Sequence, residues 1–532
     1  MKKSNPNRKW IIVSIVIILL IGGIFIFFKV QRQEKRSEAA EGFQIGNFWG
    51  RSNMMGNNSG SRGGNMMGNR SGGGRNNRMT SVEDIKLKAS KQPGKPLLLP
   101  PVLEPTIEKE NNVTYDIVAK NGEFQIKEGA KTKTLGYNGD FLGPIIRLRK
   151  GQKVTLNTTN QLDSRTSFHW HGLKIPSDAD GGPHQIIEAG EKKTVSFTVD
   201  QEASTLWFHP HPEGETASQV YRGLAGLMYI DDENSDSLDI PKNYGVDDFP
   251  LIVQDKSFDS NNQINYEEDY YSDGTQGDNL LINGTINPYV DISKRWIRYR
   301  IVSGSNSRNF TFNLSNNDSF YQIASDGGFL NKAEKLTTLT LSPGERAEIL
   351  IDTKKLKKGD NIKLLANKSV ALTMRINKKE TNVNFSPTEK LNSLENIVEN
   401  DFSELNRQTI NLQGMSHMVS INNKQFDMDR IDLYKKLNTQ EIWEINNRSS
   451  MMGSLAHPFH IHGVQFRVLS RNGESPSENE KGWKDTVLVN PEEKVELLVK
   501  FDQPGIFMYH CHILEHEEFG MMGQLQVRSN EN

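Results

Sequence analysis

Four short His-x-His pairs are the residues of this 532-residue chain best suited to chemistry. They account for eight of the twelve histidines, and the last pair encloses the single cysteine. Successive side chains of a β-strand point to opposite faces, so residues two apart share a face. Each pair therefore predicts two imidazoles facing one way, and imidazole suits Cu, Zn, Fe and Ni. The pairs are His169/His171, His209/His211, His460/His462 and His510/His512.

A second set of potential metal ligands surrounds Cys511. Its thiolate, the imidazoles of His457 and His516 and the thioether of Met521 are the ligands of a blue-copper site, with methionine as the weak axial ligand. In an extended strand His457 would point opposite to His460, as Cys511 points opposite to its two neighbours. The sequence thus predicts a thiolate-bound copper on one face and a histidine cluster on the other.

The two sites are joined covalently, because Cys511 lies between His510 and His512 in the chain. Eight imidazoles are too many for one metal ion and suit about three ions. Since neighbouring Cα atoms are about 3.8 Å apart, the thiolate-bound copper is expected on the order of 10–13 Å from the cluster. This short path predicts one-electron oxidation at the single copper and multi-electron reduction at the cluster.

The elements that must carry these residues are short β-strands. Runs rich in β-branched and aromatic residues alternate with Gly, Pro, Asn and Asp breaks, which is typical of β-sandwich or barrel domains. We predict three domains, at 100–235, 245–380 and 395–529. The middle domain has no histidine, so it is expected to be a spacer that sets geometry. Predicted strands include Val113–Ala119, Pro144–Leu148, Lys153–Asn157, Lys193–Val199, Phe249–Gln254, Trp296–Val302, Arg346–Ile351, Glu441–Ile445 and Val495–Phe501.

Residues 1–30 are predicted to be a signal anchor or a signal peptide. Four basic residues precede an apolar run, Trp10–Phe28, that is near the length of a membrane-spanning helix. We favour a retained anchor, which would hold the protein at the cell surface, facing away from the cytoplasm. A cleaved signal peptide, and with it a secreted protein, is the main alternative.

Residues 31–99 are predicted to be a disordered linker, because Gly, Asn, Ser and Arg dominate and few residues could build a core. Asn-Met-Met-Gly-Asn occurs there twice, at 53–57 and 65–69. Soft thioethers select Cu(I), so these pairs are either copper-capturing sites or part of an inert spacer. The chain has 64 Lys+Arg against 66 Asp+Glu, which gives no bias toward nucleic acid. We expect a monomer without a nucleic-acid partner.

The motifs HWHG, HPH, HPFHIH and HCHILEHEEFGMM resemble the four copper-ligand motifs of the multicopper oxidases. The resemblance spans Pro100 to Arg528. It implies an all-β fold of three cupredoxin-like Greek-key domains, four copper ions, and reduction of O₂ to water at three of them. It also implies type 1 copper at His457, Cys511, His516 and Met521, type 2 copper at His169 and His460, and a type 3 pair at His171, His209, His211, His462, His510 and His512.

Reduction of O₂ also requires protons, and two carboxylates stand at positions that resemble the proton-relay residues of the bacterial branch of this family. Asp180 follows the HWHG motif, and Glu517 directly follows His516. Both are suitable general acids if they are partly buried; the alternative is two solvated surface acids. The segment Trp483–Thr486 also resembles the family, and we expect it to support the ligands.

The reductant is predicted from two further motifs. Asp-Gly-Gly-Pro-His at 180–184 and Phe-Asp-Met-Asp at 426–429 resemble bacterial copper-efflux (cuprous) oxidases, with bacterial laccases as relatives. This favours oxidation of Cu(I) for copper tolerance over oxidation of phenols and aromatic amines. A non-catalytic scaffold, like some cell-division relatives, is the minor alternative.

The long Met/His-rich insert of cuprous oxidases is reduced here to four residues. Candidate ligands for substrate Cu(I) are Met415, His417, Met418, Met428, Met451 and Met452.

Overall fold

The computed structural model describes most of the chain beyond the N-terminal region. The predicted signal segment at 1–30, the linker up to residue 84 with both methionine repeats, and Met451 and Met452 lie outside the described residues. No helix in the part that is described is long and apolar enough to cross a membrane. The described residues are 85–529 without 268, 270, 271, 398, 399, 401 and 449–454.

The last part of the predicted linker is ordered, which corrects the expectation of disorder up to residue 99. Strand β1 (Lys95–Pro96) pairs in parallel with residues 288–289. The backbone N–H of Leu97 donates to the carbonyl of Tyr289 at 2.8 Å, and Leu87 and Leu97 pack against the core of the middle domain. A few apolar residues are therefore enough to fix this segment on a preformed sheet edge.

Residues 107–231 form two sheets around one shared core. The strands are β2 (Ile107–Lys109), β3 (Asn112–Phe124), β4 (Thr132–Tyr137), β5 (Ile145–Arg149), β6 (Lys153–Gln161), β7 (Lys192–Thr198), β8 (Ser204–Phe208) and β9 (Gly226–Asp231). One sheet has the order β2-β3-β6-β7 with β4 paired to β3, and the other has the order β5-β9-β8. Every second residue of β6 is buried, as its alternating sequence requires.

Residues 248–380 form a second and larger pair of sheets. The strands are β10 (Asp248–Lys256), β11 (Asn279–Ile282), β12 (Thr285–Ile286), β13 (Pro288–Lys294), β14 (Trp296–Ser303), β15 (Phe310–Leu314), β16 (Phe320–Ser325), β17 (Gly328–Leu336), β18 (Leu339–Leu341), β19 (Arg346–Asp352), β20 (Asn361–Ala366) and β21 (Ser369–Glu380). The sheet orders are β1-β13-β21-β20-β15-β18 and β12-β11-β10-β14-β19-β16-β17.

Residues 406–528 form the third pair of sheets. The strands are β22 (Asn406–Gln413), β23 (Ser420–Ile421), β24 (Leu433–Lys436), β25 (Thr439–Arg448), β26 (His457–Ile461), β27 (Phe466–Arg471), β28 (Thr486–Val489), β29 (Lys494–Phe501), β30 (Gly505–Cys511) and β31 (Met522–Arg528). The sheet orders are β23-β22-β25-β29-β27 and β24-β31-β30-β26-β28. The prediction of an all-β protein is confirmed.

The described helices are short and lie in the connections between strands. Helix α1 ends at Asp180, and helix α4 carries His516 and Glu517, so two of the four helices hold predicted site residues. The helices are α1 (Ser177–Asp180), α2 (Thr216–Arg222), α3 (Glu233–Ser237) and α4 (Leu514–Glu518), with 3₁₀ turns at Thr353–Lys355, Ser416–Met418 and Glu478–Glu480.

The middle pair of sheets packs directly against the first. All nine residues of β10 are buried, because the strand is covered on both faces. Leu251 faces the core of its own domain, whereas Ile252 joins a cluster with Trp207 and Leu227 of the first domain. This contact holds β8, the strand that precedes His209, in a fixed position relative to the middle domain.

The third-domain histidine pairs lie across the ends of β26 and β30, and the first-domain pairs lie outside the named strands, which corrects the expectation that each pair lies within a strand. His169 and His209 face each other in an isolated β-bridge outside the named strands. Strand β26 ends one residue before His462, and β30 ends one residue before His512. The third-domain pairs therefore extend past the ends of their strands and come close to the histidines of the first domain.

We expect Ile461→Ala to lower the free energy of unfolding by about 2–5 kcal/mol, the usual range for truncating a buried aliphatic side chain. Ile461 is fully buried in the core of the third domain, between His460 and His462. Chemical denaturation of the copper-free protein measures the change. Ile107→Ala is the matched control, because Ile107 is 59 % exposed and its truncation should cost less than about 0.5 kcal/mol. Equal losses for the two variants would contradict this account of the core.

Candidate metal centre

Two neighbouring strands of the third domain separate the thiol from the imidazoles. Strands β26 and β30 pair antiparallel, with His460 opposite His510 and Phe459 opposite Cys511. Because faces alternate along a strand, His457 shares a face with Cys511, and His460 shares the other with His510. The structure thus produces the two-sided arrangement that the sequence predicts.

The thiol side brings together the four residues predicted for the single copper. Cys511 Sγ lies 3.5 Å from His457 Nδ1 and 3.7 Å from His516 Nδ1. Met521 is fully buried in the same core; its backbone N–H donates to His516 and its carbonyl accepts from Cys511. Burial raises the pKa of the Cys511 thiol, so binding of a cation is needed to release its proton.

The opposite side holds eight buried imidazoles in one cluster. Six of them divide into two groups of three, and within each group the candidate ligand atoms all lie within 4.8 Å of one another. Each group combines histidines of the first and third domains. The groups are His171, His209 and His512, and His211, His462 and His510.

The remaining two imidazoles, of His169 and His460, share a common arrangement. Nδ1 of His169 lies 3.1 Å from the carbonyl oxygen of Asp180, and Nδ1 of His460 lies 2.8 Å from that of Asp485. Their Nε2 atoms are buried and have no hydrogen-bond partner among the described residues. A buried nitrogen without a partner is costly, so a bound cation fits these two positions.

Burial favours the neutral form of seven imidazoles of the cluster and of His457 beside the thiol. Burial is the largest cause that lowers the pKa of eight histidines, and positively charged neighbouring imidazoles would lower most of them further. The pKa values of His457 and His510 fall to about 3. Neutral imidazole is the form that binds metal ions. The other six are His171, His209, His211, His460, His462 and His512.

Asp180 contacts the cluster from helix α1. Its Oδ2 lies 2.7 Å from Nδ1 of His462 and 3.3 Å from Nδ1 of His169. Its Oδ1 is buried and has no hydrogen-bond partner in the described part of the chain. The residue is 3 % exposed, which rules out the alternative of a solvated surface acid.

Glu517 contacts the cluster from helix α4. Its Oε1 lies 3.3 Å from Nδ1 of His211, and its Oε2 lies 3.3 Å from Nδ1 of His510. Burial, together with the nearby charge of Glu518, raises the pKa of Glu517 well above its ordinary value. The carboxyl group of Glu517 therefore holds its proton more tightly than an exposed glutamate does, beside two imidazoles. Like Asp180, it is not a surface acid.

The first residue near the centre that the sequence analysis missed is Arg346 of the middle domain, the partner of Asp485. Asp485, within the segment expected to support the ligands, accepts from His171 Nε2 at 2.9 Å and is paired with Arg346 of the middle domain. Arg346 is fully buried, but no local motif marks it. The middle domain therefore contributes a charged group next to the cluster, which goes beyond the role of a spacer.

Asp273 is the second residue that was missed, and it lies beside the thiol site. Its Oδ1 is 3.9 Å from Nε2 of His516 and accepts from the backbone N–H of Ser416 at 2.7 Å. Burial alone would raise the pKa of Asp273, but the nearby imidazole of His516 and the hydrogen bonds from Ser416 outweigh it and lower the pKa. An anionic group thus stands next to one of the two imidazoles around Cys511.

The candidate substrate methionines fall in two places. Met415, His417 and Met418 lie on the segment whose Ser416 binds Asp273; Met415 is half-buried and Met418 is exposed. Met428 lies on a different segment, where its carbonyl accepts from the amide of Gln524 at 3.0 Å. The side-chain oxygen of Gln524 contacts His184, which is one of the two histidines outside the metal-site motifs.

Comparison with known proteins identifies the family. Family models described as multicopper oxidase match residues 118–235 and 392–531. A multicopper oxidase of Staphylococcus haemolyticus is 43 % identical over 84 % of this chain and 97 % of its own length. The crystal structure of a multicopper oxidase from Pediococcus acidilactici has a TM-score of 0.80 and 40 % identity, covering 85 % of this chain and 95 % of that one.

A differently named relative, the cell division protein FtsP of Proteus mirabilis, is 33 % identical over 81 % of this chain and 92 % of its own.

The buried thiol site and imidazole cluster define a copper-dependent oxidoreductase that uses O₂ as acceptor and a reducing substrate as donor. The chain belongs to the multicopper oxidase family, as its four motifs predict.

We expect the copper-free protein to lose stability as the pH falls below about 6.5, the ordinary pKa of histidine. Between that pH and about 3 the unfolded chain binds protons that the buried histidines of the folded chain refuse, so the free energy of unfolding decreases with falling pH. The raised pKa of Glu517 acts in the opposite sense above about 4.5, but one carboxyl opposes eight imidazoles.

Denaturant unfolding between about pH 7 and about pH 5 measures this dependence. Copper-loaded protein is the comparison: bound metal should raise the free energy of unfolding at every pH, while the decrease with falling pH stays at least as steep, because the unfolded chain still takes up the protons. A copper-free protein whose stability is unchanged across this range would show that the imidazoles are not buried as described.

Proposed function

We propose that this multicopper oxidase binds four copper ions and couples oxidation of Cu(I) to reduction of O₂ to water. The observation that carries the proposal is the division of the buried ligands into one thiol group and three imidazole groups. The three pairs of sheets are inferred to be cupredoxin-like Greek-key domains. Type 1 copper is assigned to His457, Cys511, His516 and Met521, type 2 to His169 and His460, and the type 3 pair to His171, His209, His211, His462, His510 and His512.

Copper supplies one-electron oxidation of the reductant at the type 1 site and four-electron reduction of O₂ at the other three ions. The protein supplies the connection between them. Cys511 is bonded through the backbone to His510 and His512, and these two imidazoles belong to the two different groups of three. Electrons from the thiol side therefore reach both groups by equivalent covalent paths.

Asp180 and Glu517 are assigned as the proton donors. Glu517, whose pKa is raised by burial, lies 3.3 Å from His211 and 3.3 Å from His510, on one side of the cluster. Asp180 contacts His169 and His462. Because each carboxyl group contacts imidazoles of the cluster directly, a proton held there would lie next to the proposed copper ions.

Cu(I) is the proposed reductant because soft ligands lie next to the thiol site. The segment 414–418 places its Gly414 carbonyl against the imidazole of His457 and its Ser416 against Asp273. Met415, His417 and Met418 flank these contacts and supply the thioether and imidazole ligands that Cu(I) prefers. Asp273 adds a negative charge that attracts a cation to His516.

Two other functions remain as outcomes of the tests. Phenols and aromatic amines are the alternative reductants, and they would need no methionines on this segment. A non-catalytic scaffold is suggested by the relative named as a cell division protein. The buried thiol with its two imidazoles at 3.5 and 3.7 Å argues for copper chemistry instead.

The location proposed for this activity is outside the cytoplasm, with the protein anchored by residues 1–30 or secreted after their cleavage. The basis is the apolar run after basic residues in the sequence. A monomer is proposed, and the methionine repeats at 53–57 and 65–69 are assigned either to copper capture or to a spacer.

We expect Cys511→Ser to abolish the blue charge-transfer band and to lower bound copper from about four to about three ions per chain, because a serine hydroxyl does not replace the thiolate in a blue-copper site. Absorption spectroscopy and elemental analysis measure both. The wild-type protein, loaded in the same way, is the control. A variant that stayed blue would disprove the assignment of Cys511.

We expect the double variant Met415→Ala and Met418→Ala to raise the KM for Cu(I) by about tenfold, equivalent to about 1.4 kcal/mol of binding. Oxygen uptake driven by a bulky phenol should be unchanged, because the type 1 ligands are intact. Met428→Ala is the matched comparison: Met428 was a sequence candidate for this site, but it lies on another segment, so we do not assign it to the site and expect its removal to leave the KM for Cu(I) unchanged. If phenol oxidation fell while Cu(I) oxidation did not, the laccase-like alternative would replace this proposal.

A further inference from the structure

The middle domain sends one guanidinium group into the junction of all three domains. Arg346, at the start of β19, is fully buried, and its guanidinium nitrogen atoms donate five hydrogen bonds. Nη1 and Nη2 each lie 2.6 Å from a different carboxylate oxygen of Asp485, a two-pronged ion pair. The remaining three bonds go to the carbonyl oxygens of Thr205, Asp326 and Gly344.

The carboxylate of Asp485, the partner of Arg346, accepts hydrogen bonds from several donors. Besides the two bonds from Arg346, its carboxylate accepts from Gln465 Nε2 at 2.8 Å and from the Thr486 hydroxyl at 2.9 Å. The same oxygen that faces Thr486 lies 2.9 Å from Nε2 of His171. A carboxylate with this many donors has a fixed plane, so the direction of its bond to His171 is fixed as well.

Asp485 orients a second imidazole through its backbone. Its carbonyl oxygen lies 2.8 Å from Nδ1 of His460, and the Thr486 hydroxyl lies 3.2 Å from the same atom. The rings of His171 and His460 are stacked with their centroids 3.8 Å apart. One residue therefore sets the rotation of two neighbouring rings.

These contacts determine which nitrogen of each ring faces the cluster. A neutral imidazole has one N–H, and in His171 that proton belongs on Nε2, toward the carboxylate. The Nδ1 of His171 is then the free electron-pair donor, 3.4 Å from Nε2 of His209. In His460 the order is reversed, because Nδ1 donates to the carbonyl and Nε2 points inward.

We infer that Arg346 is a positioning residue for the copper cluster: by clamping Asp485 it holds His171 with Nδ1 and His460 with Nε2 toward the metal ions. The inference rests on the copper sites proposed above. Gly344, two residues before Arg346, lies against a third imidazole, that of His512. A Cβ atom at this position would be only 2.8 Å from His512 Cδ2, so a glycine is needed there. The histidine-free domain thus shapes the cluster through Arg346 and Gly344.

Arg346→Lys is the decisive variant. Lysine keeps the positive charge but cannot form two parallel bonds to one carboxylate, so the orientation is lost while the charge remains. We expect cluster copper to bind about 10–100-fold more weakly in competition with a chelator, the usual effect of losing a group that orients a metal ligand. The blue band of the type 1 site should persist, and the electron paramagnetic resonance signal of type 2 copper should change.

Arg300→Lys is the matched control. Arg300, on the neighbouring strand β14, is 4 % exposed and forms a similar two-pronged pair with Asp248 of β10, but none of its hydrogen bonds within the described residues goes to a histidine. It should lower thermal stability without changing copper affinity or the type 2 signal. If Arg346→Lys affected the cluster no more than Arg300→Lys does, the inference would be wrong.

Asp485→Asn covers the case in which Arg346→Lys does not fold. The amide keeps the shape of the side chain but replaces one acceptor by a donor, so it cannot satisfy both Arg346 and His171. The same selective weakening of cluster copper is expected, and full retention of affinity would overturn the inference. Wild-type protein that bound far fewer than about four copper ions would instead refute the proposed function itself.

Discussion

Antiparallel pairing of β26 with β30 turns the Cys511 thiol to one face of the sheet and the imidazoles of His460 and His510 to the other. The thiol faces the core of its own domain and meets His457 and His516. The imidazoles leave the opposite face and meet those of the first domain. A slip of one residue in this register would exchange the two faces, so both sites depend on the same set of backbone hydrogen bonds.

This arrangement buries many ring nitrogen atoms close together, which is unfavourable unless each has a polar partner. The surrounding domains supply such partners in fixed positions. Backbone carbonyls, Asp180, Glu517 and Asp485 occupy the outward nitrogen of most rings. The inward nitrogen atoms face one another at distances such as 3.1 Å between His462 and His510. Such a group is stable when a cation lies between the rings, which links metal binding to the integrity of the domain junction.

Much of the site could be predicted because the ligands come in short local patterns. Spacing by two residues and the position of Cys511 between two histidines predicted the two faces, and burial of Asp180 and Glu517 agrees with their predicted roles. Arg346 and Asp273 carry no such pattern. Arg346 meets Asp485 across 139 residues of sequence, and Asp273 lies in an acidic loop of the middle domain that reads as solvent-exposed. The ordered strand Lys95–Pro96 was missed because its partner is a sheet edge formed almost 200 residues later.

The sequence by itself determined the ligand types, the pairing of imidazoles, the alternation that separates them from the thiol, and the all-β class, since each follows from spacing along one strand. The tertiary structure alone decided which histidines form each group of three, which nitrogen of each ring faces inward, and which charges of the middle domain support them. These depend on contacts between domains. Such contacts are set by the packing of whole sheets, and no local pattern of residues encodes them.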